Sequence, residues 1–247
     1  ATGLGGGNPA AGVAGAWRGP TGAIAQRSVR AKRTLAEANV PFEVPRASEL
    51  AGRVTSVLAV LYLVFNEGYT ATAGGDWMRP ALCEDALRLG RIVAELLPNE
   101  AEVHGLVALM EIQASRLKAR TDSQGAPVLL LEQNRAVWDQ LLIRRGFTAL
   151  DRAAALGGAL GPYALQGAIA ACHAHARTAE ETDWTRIAAL YGALAGLIPS
   201  PIVALNLPVA VSLALGTAAG AGTPDRPPPC APPPGTDPRP VLRVARP

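Results

Sequence analysis

The sequence predicts an all-α fold made of successive antiparallel helix pairs, and three observations support that expectation. Apolar residues make up 49% of the 247 residues but aromatic ones only 4%. The core material is therefore Ala, Leu and Val rather than the β-branched and aromatic runs that strands favour. Apolar positions recur at helical spacing, as in Val54, Val57, Leu58, Leu61 and Phe65, and again in Leu82, Ala86, Leu89, Val93 and Leu96. Between such windows stand helix breakers and starters, notably Gly157-Gly158, Gly161-Pro162 and Pro199-Ser200-Pro201.

Taken in order, residues 1–23 hold eight glycines and no apolar periodicity. They bury too little surface to offset their ordering entropy, and a disordered segment is expected. Residues 24–38 read as one helix closing a 24–40 segment, and 41–53 as a Pro-punctuated linker. The helical body is expected from 54 to 216. Asn99 and Glu102 have capping-box spacing ahead of Val103, Leu106, Met110 and Leu117. TDSQGAP at 121–127 is a turn, followed by a helix over about 132–156. Gly157-Gly158 breaks that helix and Gly161-Pro162 opens the next, through about Arg177. Thr182 or Asp183 caps another, and Ser200 a last one with Pro201 in its first turn. Trp184, Ile187, Ala188 and Tyr191 match the opening of a tetratricopeptide unit with Ala in place of Gly, so a repeat-like stack and an ordinary bundle both fit. Residues 217–247, with PDRPPPCAPPPGTDPRP, predict a disordered or polyproline II tail.

Composition also excludes several classes. The net charge of +3 requires any nucleic-acid site to be a local patch. Cys83, Cys172 and Cys230 are odd in number and widely spaced, which argues against a disulfide framework and points to a reducing cytoplasm. No secretory signal is legible in residues 1–23. Residues 187–223 carry no charge, yet Pro199, Pro201, Asn206 and Pro208 divide them into runs too short to span a bilayer. Two packed helices are expected there, not a membrane segment.

The residues with the clearest chemistry are Gln26, Arg27, Arg30, Lys32 and Arg33. On a helix Gln26, Arg30 and Arg33 share one face, with Arg27 beside it. Gln and Arg can reach base edges while Arg and Lys meet phosphates, so this face is the candidate DNA-binding site. Cys172, His173 and His175 are adjacent, but the two histidines point to opposite sides of a helix and no second ligand cluster accompanies them, so no metal is expected. Asn66, Glu67 and Tyr69 read as a polar helix terminus. Asp139, Asp151, Arg135 and Arg152 read most simply as a solvated face. With no nucleophile–base pair, phosphate loop or paired carboxylates, the sequence points away from an enzyme, a cofactor and a small-molecule substrate.

The stretch AQRSVRAKR resembles the recognition helix of extracytoplasmic-function RNA polymerase sigma factors, specifically the subgroup with a helical, tetratricopeptide-like C-terminal extension. NVPFEVPRASELAGRVTSVLAVLYLVFNEGYTAT is similar to the linker and first extension helix. LCEDALRLGRIVAELLPNEAEVHGLVALM, LLEQNRAVWDQLLI, GPYALQGAIAACHA and TDWTRIAALYGALAGLIPSPIVALN continue the likeness to Asn206. The resemblance implies promoter DNA and core RNA polymerase as partners, with the recognition helix reading the −35 element. It also implies packing or interdomain roles for Gln133, Arg135, Trp138 and Asp139. Two departures accompany it. GGNPAAGVAGAWRGPTG stands where the bracing helix of the helix-turn-helix belongs, and the sequence after Asn206 turns Pro-rich. The expectation is a sigma factor truncated at its N-terminus and possibly frame-shifted at both ends. The alternative from another class is a standalone helical-repeat module that binds protein and no DNA.

Overall fold

The computed structural model describes residues 26, 29–30, 33–34, 37–38, 47–71 and 78–220. The expected segments 1–23, 41–46 and 221–247 lie outside the described residues, as do Arg27, Lys32 and Cys230. Among the described residues the fold is all-helical, with seven α-helices and no strand. A single isolated bridge, Thr121 to Pro127, is the β-type pairing present. The helices are α1 (Ala47–Tyr69), α2 (Pro80–Leu96), α3 (Ala101–Ala114), α4 (Gln140–Ala155), α5 (Pro162–His175), α6 (Trp184–Leu197) and α7 (Pro201–Gly220). The chain divides within α2 into two compact units, residues 1–90 and 91–247.

In the first unit, Val54, Leu58, Leu61, Tyr62, Phe65 and Tyr69 are buried along one side of α1, as the heptad-like spacing dictates. The helix begins at Ala47, inside the segment read as linker; nothing in ASELAGR breaks it, and the last proline before it is Pro45. The end of α1 carries more than a polar terminus. Glu67 is only 3% exposed, and Arg79 Nη1 donates to its Oε1 at 3.1 Å. Arg79 N also donates to the Gly68 carbonyl at 2.7 Å. Cys83 Sγ lies 3.6 Å from the Phe65 carbonyl, packed where Gly68 leaves no room for a Cβ.

In the second unit α3 is the centre. Residues 103 and 105–114 are all buried, and its neighbours α4 and α5 pack on it while α6 packs on α5 and α7 on α6. A helix apolar on every side belongs inside, and VHGLVALM has that character. The α3–α5 crossing is close because Gly105 faces Ala164: a Cβ on Gly105 would lie 2.6 Å from Ala164 N. Ile187, Leu194, Val203 and Ala210 join Leu165, Ile169 and Cys172 in a further core, against which Trp184 and Tyr191 pack.

Several local signals act as expected. Gly157 and Gly158 end α4 with φ of 78° and 86°, a region costly for any residue with a Cβ. Asp183 caps α6, accepting from Arg186 N at 2.9 Å. Asp122 organises the 121–127 turn by accepting from Gln124 N and Ala126 N, each at 2.8 Å, while Gly125 adopts φ 81°.

Other expectations are corrected. The helix expected over 132–156 is two 3₁₀ turns, Leu130–Glu132 and Arg135–Val137, followed by α4. Gln133 and Trp138 take extended backbone that interrupts the helix and lets Trp138 bury. Asp139 then caps α4, accepting from Leu141 N and Leu142 N at 2.9 and 3.1 Å. The Asn99/Glu102 capping box does not form: the N-cap of α3 is Glu100, without a side-chain cap. α7 runs through Pro208 rather than breaking there; Pro208 and Ala204 are both exposed, so water can reach the carbonyl that loses its helical partner. No helix among the described residues is long and apolar enough to cross a membrane.

Candidate functional site

Two places concentrate polar chemistry, and they are built in opposite ways. The first is the predicted DNA-binding stretch. Gln26, Val29, Arg30, Arg33, Thr34 and Glu37 are helical and exposed. The i, i+4, i+7 spacing puts Gln26, Arg30 and Arg33 on one face. Arg33 Nε donates to Glu37 Oε1 at 2.6 Å, with both side chains more than half exposed. Val29 on the same stretch is 67% exposed. Among the described residues this is a solvated basic face in which Arg33 pairs with Glu37.

The second is the interior of the 91–247 unit, where Glu111, Gln113, Ser115, Arg116, Arg120, Gln133, His173 and Thr182 are all buried. Glu111, 1% exposed, accepts from Arg91 Nε at 2.7 Å. Glu102 reaches from α3 to the start of α5, where its carboxylate accepts from Tyr163 N at 2.8 Å and Ala164 N at 3.1 Å. These are orphan donors of the first helical turn, and Gly161 leaves the room that the carboxylate occupies. Burial raises the Glu102 pKa against the lowering effect of the two N–H groups. Burial and the nearby Glu102 charge push the Tyr163 hydroxyl up to about 12.

The other end of α5 is held by Arg135. Its Nη1 donates to the carbonyls of His173 at 2.6 Å and Ala176 at 2.8 Å, and its Nη2 to Thr182 Oγ1 at 3.2 Å. A guanidinium here satisfies the carbonyls a helix leaves unpaired and meets the negative end of its dipole. Arg135 and Arg116 both stack on the Trp138 ring, with centroid distances of 5.2 and 5.7 Å. Burial, then Arg116, lowers the Arg135 pKa. His173 sits edge-on to Trp184 at 5.3 Å. Burial first, then Arg116 and Arg135, pulls its imidazole down to about 3, so it is neutral near pH 7. Arg135 is thus a packing residue rather than part of a solvated face. Arg152 and Asp151 are both exposed, as a solvated face requires, with Arg152 Nη2 donating to Pro98 O at 3.2 Å.

Beside this cluster lies a cavity of about 130 Å³. Gln113 of α3, Arg116 in the turn just after it and His173 of α5 give it a polar end. Leu130, Ile169, Leu194, Ile198, Ile202 and Val203 supply apolar walls, and Asn206 Nδ2 donates to Tyr191 Oη at 3.2 Å along its rim. Sequence reasoning missed this site, because its lining comes from four separated segments. One signal was available: in a helix apolar all round, Glu111 and Gln113 have to be interior groups. Cys172 and His173 are buried while His175 is exposed, and among the described residues no group of His, Cys, Asp or Glu could hold a metal ion.

Residues 53–154 match DUF6596, a family of unknown function. An uncharacterized protein of Rhizobium meliloti (strain 1021), R00370, is 46% identical over 190 residues, which cover 77% of this chain and 45% of that protein. The chain therefore spans less than half the length of this relative. The matched family segment takes in α2, α3 and most of α1 and α4, including Glu67, Arg79, Glu102, Arg116, Arg135 and Trp138. No solved structure matches.

Proposed function

We propose that this chain is part of a sigma-type transcription initiation factor: a promoter-reading helix joined to a regulatory helical extension, acting with RNA polymerase in the cytoplasm. The observation that carries the reading is the exposed helical face of Gln26, Arg30 and Arg33, whose side chains suit base-edge and phosphate contact. The likeness of Ile24–Asn206 to sigma factors with a helical extension supports it, and so does the all-helical body that follows the basic stretch. Gln26, Arg27, Arg30, Lys32 and Arg33 would meet promoter DNA, and residues 47–216 would carry the extension.

The test is binding of the full chain, with and without core RNA polymerase, to a duplex bearing a −35-type element and to a scrambled duplex. A preference for the first duplex, weakened at least about tenfold by Arg30→Ala with Arg33→Ala, is expected. Equal binding to both duplexes, unchanged by the substitutions, contradicts it. A second reading, a helical-repeat module that binds protein alone, is favoured by Trp184, Ile187 and Tyr191 on α6, which packs on α7. It predicts capture of a protein partner through the helical body and no DNA binding.

A further inference from the structure

Three helices turn an apolar stripe toward the same hollow. Ile169 and Ala170 of α5, Leu194 of α6 and Val203 of α7 are buried residues of its lining, and Ile198 and Ile202 complete the walls. Because α5 packs on α6 and α6 on α7, a guest seated here touches all three. Native interiors hold few voids larger than a water molecule, and an apolar void lacks the two to four polar partners that fix a water. At about 130 Å³ the hollow is close to the ~150 Å³ engineered cavity that stays dry and takes up benzene.

The polar residues of the lining set the charge of the guest. Gln113 Oε1 and His173 Nδ1 are enclosed by their neighbours, so neither opens onto the hollow. Arg116 is 7% exposed and lies over the ring of Trp138, which is outside the lining. Among the described residues no Asp, Glu or Lys lines the hollow. A cation would find no carboxylate there, and an anion would find a guanidinium already engaged, so either would bear the cost of leaving water. Gln166, Tyr191, Ser200 and Asn206 are the half-buried polar residues of the lining, and Asn206 Nδ2 donates to Tyr191 Oη at 3.2 Å. Neutral hydroxyl and amide groups of this kind can meet one hydroxyl of a guest without demanding charge.

We propose that the hollow is a binding site for a small uncharged aromatic molecule, a single ring of about six carbons with at most one hydroxyl. The ring lies against Ile169, Leu194 and Val203, and its presence ties α7 to α5. Such a site is independent of the DNA-binding reading and is tested separately from it.

The experiment titrates the full chain calorimetrically with phenol and toluene, and with benzoate and benzylamine as charged counterparts of the same ring. Hydrogen exchange is then followed on the phenol-saturated chain. Phenol and toluene should bind saturably in the millimolar range or below, and both charged rings at least about tenfold more weakly. Exchange should slow in 166–173 of α5 and 202–206 of α7. Ile202→Trp alters a half-buried wall position on α7; it should fill the hollow and abolish phenol binding while far-UV circular dichroism stays native. Should that variant lose its native spectrum, Ile198→Phe, which narrows the hollow from the end of α6, takes its place. Failure of phenol or toluene to bind, a charged ring that binds as tightly as phenol, phenol binding that survives the filled hollow, or exchange unchanged in both segments overturns the proposal.

Discussion

The basic stretch around Arg30 and the polar interior around Arg135 use the same residue type for opposite ends. Arg33 lies on the surface and pairs with its own helix through Glu37, four residues away. Arg135 pairs with groups 38, 41 and 47 residues away, the last three polar atoms in its reach being two carbonyls and a hydroxyl. The first arrangement holds no tertiary structure and leaves the charged face open to a partner. The second joins the 130–138 segment to the end of α5 and the approach to α6. Burial, rather than charge, separates an arginine left open to a partner from one that builds: an exposed pair gives little stability, and removing a half-buried donor leaves carbonyls without partners.

The contrast can be broken most sharply at Arg135. Arg135→Ala should lower unfolding free energy by about 2–3 kcal/mol, through three lost hydrogen bonds from a charged donor, and chemical denaturation will measure it. Arg135→Lys should recover only part, since an ammonium cannot present the planar fork that bridges two carbonyls and Thr182. A loss no larger than that of Arg33→Ala would place Arg135 back on a solvated face.

His173 gives a pH signature of nearly the same size. Its folded pKa, about 3, lies below the ordinary 6.5, so between those values the unfolded chain binds a proton that the folded chain refuses. Stability is fully present above pH 6.5 and is lost as pH falls toward 3. Between pH 7.5 and 4.5, wild type should lose about 2.5 kcal/mol more than His173→Gln. Parallel pH curves for the two proteins would contradict the assignment.

Glu102 is a smaller case. Glu102→Ala removes the carboxylate that accepts from Tyr163 N and Ala164 N and should cost about 1–2 kcal/mol, the range of a lost helix cap. Hydrogen exchange should also quicken at the start of α5 before it does in α3. An unchanged exchange pattern would mean that water replaces the carboxylate.

These same residues show how far the sequence could be read. Helical periodicity in Val54–Phe65 and Leu82–Leu96, the Gly157-Gly158 break and the Asp183 cap are local properties, and each acts where its residues stand. Glu102 reads locally as the far half of a capping box, but its partners are 61 and 62 residues away. Arg135 reads locally as one more charge on a polar face, because the carbonyls that claim it belong to another helix. The cavity was invisible for the same reason: Gln113, Ile169, Leu194 and Val203 meet only after α3, α5, α6 and α7 have packed. The exposed helical placement of Gln26, Arg30 and Arg33 required no tertiary partner, and spacing alone made it legible.

The most direct measurement is the salt dependence of duplex-DNA binding by the full chain and by its Arg30→Ala, Arg33→Ala variant, with thermal midpoints recorded on the same samples. If these exposed arginines serve recognition, the log–log slope should become shallower by about two while the midpoint stays within about a degree, as an ion pair this exposed allows. Identical slopes, or a midpoint that falls as it does for Arg135→Ala, would contradict the division between a recognising surface and a building interior.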